Sequence, residues 1–256
     1  MLSLRERCSV RLTSVNAGRT ARERVRAELI KEITEIARRQ LATEGASGLS
    51  LRAVAREMGR VSSAIYRYFP SRDDLLTTLI IDGYNAVGAA VEQAAAACPR
   101  EDYAGRWLAA CRAVRDWALA NPHEYALVYG SPVPGYQAPQ QTIGPASRAA
   151  AVFGKIIGDA YRGGASLDAG HGVTEAAPGP LTAVPGPFSA DAARLREAIL
   201  DGVPDQIAAA ALIAWSGLFG LVSFELFGQF ENVVTDRAAF FDYAAARLGR
   251  MTGLAA

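Results

Sequence analysis

The chain has 256 residues, half of them hydrophobic, which is enough for one large domain or for a small domain followed by a larger one. Residues 1–75 carry 15 Lys and Arg against 9 Asp and Glu, a balance of +6, whereas residues 76–256 carry 12 against 17, a balance of −5. This asymmetry favours a nucleic-acid partner for the first part. Three cysteines in no Cys-x-x-Cys pattern, and no apolar segment typical of a secretory signal, indicate the reducing cytoplasm.

The first predicted element is a basic arm followed by a helix. Residues 1–20 show no apolar periodicity and are predicted to be flexible. Apolar residues recur at helical spacing from Val25 through Ile33, which predicts a helix over about 22–43. Gly45 is positioned to end it.

Two shorter helices come next, separated by a glycine turn. Ser50 is a typical N-cap for the second helix, and Gly59 closes it. The third helix is predicted over 62–69, with Ile65 and Phe69 facing inward. Two helices joined by such a turn on a longer first helix are typical of a helix-turn-helix.

The rest of the chain is predicted to be helical as well. Pro70 stops the third helix, and Ser71 with Asp74 three positions later forms a capping-box pattern that starts a long fourth helix. Further helices are predicted over about 103–118, 122–129, 146–162, 189–200, 204–230 and 236–249, with Gly- and Pro-rich loops at 130–144 and 163–189. No strand pattern occurs, so the fold class is predicted to be all-α.

The third helix carries the side chains that would read DNA. Ser62, Ser63, Tyr66 and Arg67 offer hydroxyls and a guanidinium to phosphates or base edges, and Tyr68 lies at the edge of this face. Such a run on an amphipathic helix also suits ordinary packing, and the complete helix-turn-helix pattern is what favours DNA.

Residues about 22–76 resemble the DNA-binding head of the TetR family of bacterial transcriptional regulators. The resemblance is carried by Gly59, the run from Ala64 to Phe69, and the Ser71-Arg72 and Leu75-Leu76 pairs. It implies a homodimer that binds double-stranded DNA at a palindromic operator, most often as a repressor, and a helical body that holds a small-molecule effector. On this pattern Tyr66, Tyr68 and Arg72 look like phosphate contacts, and Ser62, Ser63 and Arg67 look like candidate base readers. The candidate DNA-binding residues are Ser50, Arg52, Arg60, Ser62, Ser63, Tyr66, Arg67, Tyr68 and Arg72.

Two residues depart from the family's pattern. Arg60 stands where a small apolar residue normally fills the turn, and Val61 stands where a Ser or Thr cap is common. The resemblance divides the chain into the arm at 1–20, a DNA-binding domain at 21–72 and an effector-binding and dimerisation domain at 73–256.

The body carries no strong motif, and its aromatic residues suit either a ligand pocket or plain core. Its low charge favours an apolar or aromatic effector. The candidate effector residues are Trp107, Cys111, Trp117, Tyr125, Tyr129, Phe153 and Tyr161. The segment 215–230 resembles a dimerisation helix of one TetR subgroup, and the candidate interface residues are Trp215, Phe219, Phe224, Phe227, Phe240 and Phe241.

Two other protein classes are compatible with parts of the sequence. The 18 uncharged residues 207–224 would suit a single-span membrane protein with a basic head, although a helix buried by its neighbours is the favoured interpretation. A helical enzyme would need ionisable groups or a catalytic motif in the body. His123 and His171 lack partners at metal-ligand spacing, so no metal, cofactor or catalytic residue is predicted.

Overall fold

The computed structural model describes residues 4–164 and 186–254, and side chains within this part except those of 4–20, 186 and 187. The described residues form ten α-helices and one short 3₁₀ turn with no strand, which confirms the predicted all-α class. The helices are α1 (Leu4–Gly48), α2 (Leu51–Glu57), α3 (Ser62–Tyr66), α4 (Arg72–Ala96), α5 (Tyr103–Ala120), α6 (Pro122–Tyr129), α7 (Ile143–Arg162), α8 (Gly186–Ile199), α9 (Asp205–Leu226) and α10 (Arg237–Met251), and the 3₁₀ turn is Gln140–Thr142.

The chain divides into two compact units. The N-terminal unit contains the residues up to Leu79 together with Val133–Tyr136. The C-terminal unit contains Ile80–Pro132 and the residues from Gln137 onward. The division falls inside α4, so this helix supplies residues to both units.

α1 is longer than the sequence predicted. It begins at Leu4 rather than near Arg22 and includes most of the segment predicted as a flexible arm. No proline interrupts this segment, and extending an existing helix costs far less than nucleating one, so α1 continues without an apolar stripe. The buried stripe starts at Ile33, and Val25, predicted to face inward, is 55% exposed.

The core of the N-terminal unit is made by the apolar stripes of its four helices. The fully buried residues include Ile33 from α1, Val54 from α2, Ile65 from α3 and Leu76 from α4. The predicted start of α4 is confirmed, because the Asp74 carboxylate accepts from the Ser71 N–H at 2.9 Å and the Asp74 N–H donates back to the Ser71 hydroxyl at 3.1 Å.

The C-terminal unit is organised around α9, which packs against α5, α7, α8 and α10. Two buried rings fix this arrangement by hydrogen bonds. The indole of Trp107 on α5 donates to the carbonyl of Ala245 on α10 at 2.8 Å. The hydroxyl of Tyr125 on α6 donates to the carbonyl of Phe219 on α9 at 3.1 Å.

In the described part of the chain, α9 is also the one helix long and apolar enough to cross a membrane by length and composition. Its buried Glu225 accepts two hydrogen bonds from the guanidinium of Arg115 on α5, at 2.6 and 2.7 Å. Both partners of this ion pair are shielded by protein, and Arg115 lies over the ring of Phe241 on α10. The end of α9 is thus held by charge pairing to a neighbouring helix.

Candidate functional site

The turn between α2 and α3 has the geometry of a helix-turn-helix. The Ser50 hydroxyl accepts from the N–H of Ala53, which confirms the predicted cap of α2. Gly59 takes a left-handed conformation with φ +62, which a residue with a side chain adopts only at a cost. The chain then returns sharply, because the N–H of Arg60 donates to the carbonyl of Ala55 at 2.9 Å.

α3 is locked on one side and open on the other. Ile65 within the helix and Phe69 just after it are buried, as predicted. Ser63, Tyr66 and Arg67 are exposed on the remaining surface, and the Tyr66 ring is 42% exposed. The helix ends at Tyr66, earlier than the predicted 69, because the chain tightens into a turn over Arg67 and Tyr68.

The other predicted contact residues lie around this face. Arg52 and Arg60 are exposed, whereas Ser50 and Ser62 are partly buried. Tyr68 is also partly buried, because the guanidinium of Arg26 from α1 lies 5.2 Å from the centre of its ring. A cation over an aromatic face is attracted by the electron density of the ring, so this contact holds Tyr68 at the edge of the exposed face.

Arg72 has partners within the N-terminal unit. Its Nη2 donates to the carbonyl of Ala46 at 2.7 Å, and its Nε donates to the carbonyl of Leu49 at 3.2 Å. These carbonyls belong to the last turn of α1 and the residues after it, which lack helical partners. Arg72 therefore closes the connection between α1 and α2, and the phosphate contact predicted for it would require this guanidinium to serve both roles.

The two departures from the family's pattern lie together at the start of α3. Arg60 is exposed at the end of the turn. Val61 is the N-cap residue of α3 and provides no side-chain hydrogen bond, since it has no polar atom. The third helix still starts at Ser62, as predicted.

The C-terminal unit contains an apolar cavity of about 130 Å³. Trp107 and Phe153 from the predicted effector set line it, and the predicted interface residue Trp215 lines it too. The wall also includes Leu195 and Ile199 from α8, which sequence analysis missed because aliphatic residues in a cavity wall and in a packed core have the same pattern.

The remaining predicted effector residues do not line this cavity. Cys111 is fully buried, and burial raises the pKa of its thiol. Tyr125 and Tyr129 belong to an aromatic cluster with Phe219, and desolvation raises the pKa of the Tyr129 hydroxyl, a buried group without a hydrogen-bond partner. Trp117 and Tyr161 are partly buried and pack against the core.

The predicted interface residues fall into two groups. Phe224 and Phe240 line an apolar groove between α9 and α10, and Phe227 is about half-exposed nearby in the chain. Phe241, in contrast, is buried beneath Arg115, and Phe219 is partly buried. Other exposed apolar residues of α9 and α10 were not predicted, namely Leu212, Ile213 and Met251.

No group of three His, Cys, Asp or Glu residues is placed to hold an ion within the residues that the structure describes.

The N-terminal unit is basic and contains a helix-turn-helix whose second helix is buried on one side and exposed on the other. These features define a DNA-binding protein.

Comparison with known proteins identifies the family. Residues 33–79 match the family model for bacterial regulatory proteins of the tetR family, and residues 107–248 match the tetracyclin repressor-like C-terminal domain. The HTH-type transcriptional regulator Rv1816 of Mycobacterium tuberculosis is 38% identical over 230 residues, covering 89% of this chain and 92% of that protein. The chain therefore belongs to the TetR family of transcriptional regulators.

Solved structures agree with this assignment. The crystal structure of the regulatory protein SCO4313 is 34% identical with a TM-score of 0.70, covering 88% of this chain and 97% of that one. A Rhodococcus RHA1 protein of the tetR family, at 18% identity and a TM-score of 0.57 over 89% of this chain and 98% of that one, shares the fold. The protein is a DNA-binding regulator and not an enzyme, and its apolar α9 lies inside the family's C-terminal domain.

Proposed function

We propose that this regulator binds a palindromic operator as a homodimer, acts as a repressor, and is released by a small apolar or aromatic effector. The observation that carries the proposal is the exposed face of α3, which presents Ser63, Tyr66 and Arg67 beside a locked apolar side. The arm, the DNA-binding domain at 21–72 and the effector and dimerisation domain at 73–256 are the functional divisions of this proposal.

The charge around α3 supports DNA as the partner. Residues 50–72 contain five arginines and one acidic residue, Glu57, whose carboxylate is paired with Arg39 of α1. Four of those arginines, Arg52, Arg56, Arg60 and Arg67, have exposed side chains. An arginine-rich surface around a short polar helix is suited to phosphates flanking the major groove.

The operator experiment is a selection from random duplexes. The purified full chain should enrich a sequence with two inverted half-sites whose centres lie about 10–10.5 base pairs, or a multiple of this, apart. Fluorescence anisotropy should then show two protomers or a multiple of two per duplex. Enrichment of a single half-site bound by one protomer would contradict the dimeric mode, and no enrichment would contradict operator binding.

The groove between α9 and α10 supports the dimer. Its lining combines large apolar side chains such as Leu221, Phe224 and Phe240 with Gly217 and Gly220. Gly220 leaves room for a second helix to approach closely, because a Cβ atom added there would meet no other atom within 4 Å, and exposed apolar area of this kind is typical of an association surface. A second copy of the chain would cover the same groove in both protomers, as a two-fold interface requires.

The cavity supports a neutral effector. Its lining contains no ionisable residue, and the indole N–H of Trp107 is already donated to the carbonyl of Ala245. A charged ligand would lose its hydration there without gaining a partner of opposite charge. The cavity is similar in size to an apolar cavity of about 150 Å³ that binds benzene.

A ring series in the C-terminal unit supports coupling between the cavity and α4. Trp215 in the cavity wall lies 4.6 Å from Phe219, which lies 4.3 Å from Tyr129, measured between ring centres. Tyr129 in turn meets Tyr84 of α4 edge-to-face at 5.6 Å. A ligand that moves Trp215 would therefore press on rings that reach the helix running into the N-terminal unit.

Toluene and benzoate are matched probes for the cavity. Toluene should change the fluorescence of the wall residues Trp107 and Trp215 in a saturable way, whereas benzoate, equally aromatic but charged, should not. Ala211→Phe should abolish the toluene response, because Ala211 lines the cavity and the larger side chain would fill it. Equal responses to both probes, or a response that survives this substitution, would contradict a neutral effector site here.

We further infer that the protein works in the cytoplasm. Its target is DNA, and the two cysteines that the structure describes, Cys98 and Cys111, are free thiols.

A further inference from the structure

The stability of the fold does not explain why an exposed valine, Val61, occupies the N-cap position of α3. This residue occupies the N-cap of α3 in an extended conformation, φ −71 and ψ 142, and its side chain is 71% exposed. Valine is a poor N-cap, because it cannot accept from the free N–H groups of the first turn as Ser, Thr, Asp or Asn do. At this exposure it also gains little from burial. Neither helix stability nor core packing therefore accounts for a valine here.

The neighbours of Val61 are the groups expected to meet DNA. Arg60 and Ser63 are exposed on either side of it in the chain, and Tyr66 and Arg67 are exposed further along the same short segment. Ile65 and Phe69 are buried and fix the opposite side of α3. An aliphatic side chain thus stands among cationic and hydroxyl-bearing side chains at the start of the recognition helix, where such helices reach base edges.

One feature of the major groove is apolar. The C5 methyl group of thymine projects into the groove, and aliphatic side chains recognise it by contact, while every other distinguishing group on the base edges is a hydrogen-bond donor or acceptor. We propose that Val61 is a specificity-determining residue that packs against a thymine methyl group in each operator half-site. This inference rests on the proposed use of α3 for operator binding and adds a base preference that its polar residues do not supply.

The test removes single methyl groups from the DNA. The probe is the duplex that wild-type protein enriches most from a random library, with each thymine replaced in turn by deoxyuridine, which lacks only the C5 methyl. A replacement in one half-site should weaken wild-type binding by about fourfold, the value of burying one methyl-sized group, and the same replacement in both half-sites should weaken it by about fifteenfold. The same replacement should leave the affinity of Val61→Ser unchanged and should weaken binding of Val61→Ala, which keeps one aliphatic methyl group, less than that of wild type.

Two controls separate this effect from folding. Val61→Ser supplies a capping hydroxyl, so its thermal midpoint should equal or exceed that of wild type even though it loses thymine discrimination. Val233→Ala changes another highly exposed valine, in the C-terminal unit, and should keep the wild-type pattern with deoxyuridine.

The outcomes are distinct. If no thymine methyl matters to wild type, or if every sensitive position is equally sensitive in Val61→Ala and Val61→Ser, the inference is overturned while operator binding stands. If Val61 contacted a deoxyribose and not a base, its substitution would not change the sensitivity to any thymine methyl group. If wild type enriches no duplex, the proposed operator binding and the inference fail together.

Discussion

Side chains with the same sequence pattern have different roles in the N-terminal unit. Arg67 and Arg72 both lie in the motif that carries the family resemblance, yet Arg67 is exposed and Arg72 donates to two backbone carbonyls. Sequence spacing places both near the recognition helix. It cannot show that the end of α1 leaves carbonyls for Arg72 to satisfy, because that depends on where the kink at Gly45 directs the chain.

Arg67→Ala should weaken operator binding and flatten its dependence on salt. Each phosphate contact made by a cation contributes about 0.9 to the slope of log affinity against log salt concentration. Tyr66→Phe is the comparison, because loss of a neutral hydroxyl should lower affinity and leave the slope unchanged. Anisotropy titrations between roughly 50 and 200 mM salt measure both quantities. An unchanged slope in Arg67→Ala would show that this guanidinium does not neutralise a phosphate.

The main effect of Arg72→Ala should be a lower free energy of unfolding. Removing hydrogen bonds from a charged donor to otherwise unpaired carbonyls should cost about 1.5–3 kcal/mol in the free energy of unfolding. Arg52→Ala, at an exposed position of α2, should cost within about 0.5 kcal/mol. Urea unfolding gives both values. If Arg72→Ala is as stable as wild type but has a lower salt slope in operator binding, its main role is the phosphate contact.

At the scale of helices, apolar periodicity predicted which segments are helical. It did not predict which distant residues each helix contacts. A helix over about 103–118 was predicted from its apolar spacing, and Trp107 and Cys111 of this helix, α5, are buried. The partner of Trp107 is Ala245, which is 138 residues away in the sequence. Similarly, the pattern of 207–224 predicts an apolar helix but contains no sign of the Arg115 guanidinium that meets Glu225.

Glu225→Ala should destabilise the C-terminal unit by about 3–5 kcal/mol, since it leaves Arg115 shielded from water without its partner. Glu231→Ala breaks the exposed pair with Arg237 and should cost about 1 kcal/mol or less. The double variant Arg115→Met with Glu225→Leu should recover most of the loss, because apolar residues of similar volume often replace a buried pair without cost. Urea unfolding monitored by circular dichroism measures the free energy of unfolding of wild type and of each variant. Equal losses in both single variants would contradict a shielded pair.

At the scale of the whole molecule, the sequence predicted the class of protein, whereas the wall of the cavity is defined only by packing. The head was recognisable because Gly59 and the run from Ala64 to Phe69 have a fixed spacing set by the turn. The cavity in the C-terminal unit was not recognisable from the sequence, because α8 supplies part of its wall and only packing brings Leu195 near Trp215. Trp215 illustrates the limit: an aromatic residue on α9 suits an interface by pattern, but its contacts place it in the cavity wall.

Gly220→Gln tests the association surface without disturbing the protomer. A Cβ atom added at Gly220 would meet no other atom of the chain within 4 Å, and replacing a glycine within α9 favours the helix. In a dimer packed through the α9 and α10 groove, the added side chain would overpack the interface by about 1–3 kcal/mol, or roughly 5- to 150-fold in the dissociation constant. Gly144→Gln is the matched control, since a Cβ atom added at this helical glycine of α7 also meets no other atom within 4 Å.

Sedimentation of a dilution series gives the dissociation constants of wild type and of both variants. Gly220→Gln should dissociate at higher protein concentration than wild type while its thermal midpoint, measured at a concentration where both are monomeric, does not fall. Operator binding should then depend more steeply on protein concentration, because two heads must assemble on one site. If the Gly220→Gln dimer is as tight as that of wild type, or if Gly144→Gln weakens the dimer equally, the interface does not lie at this groove.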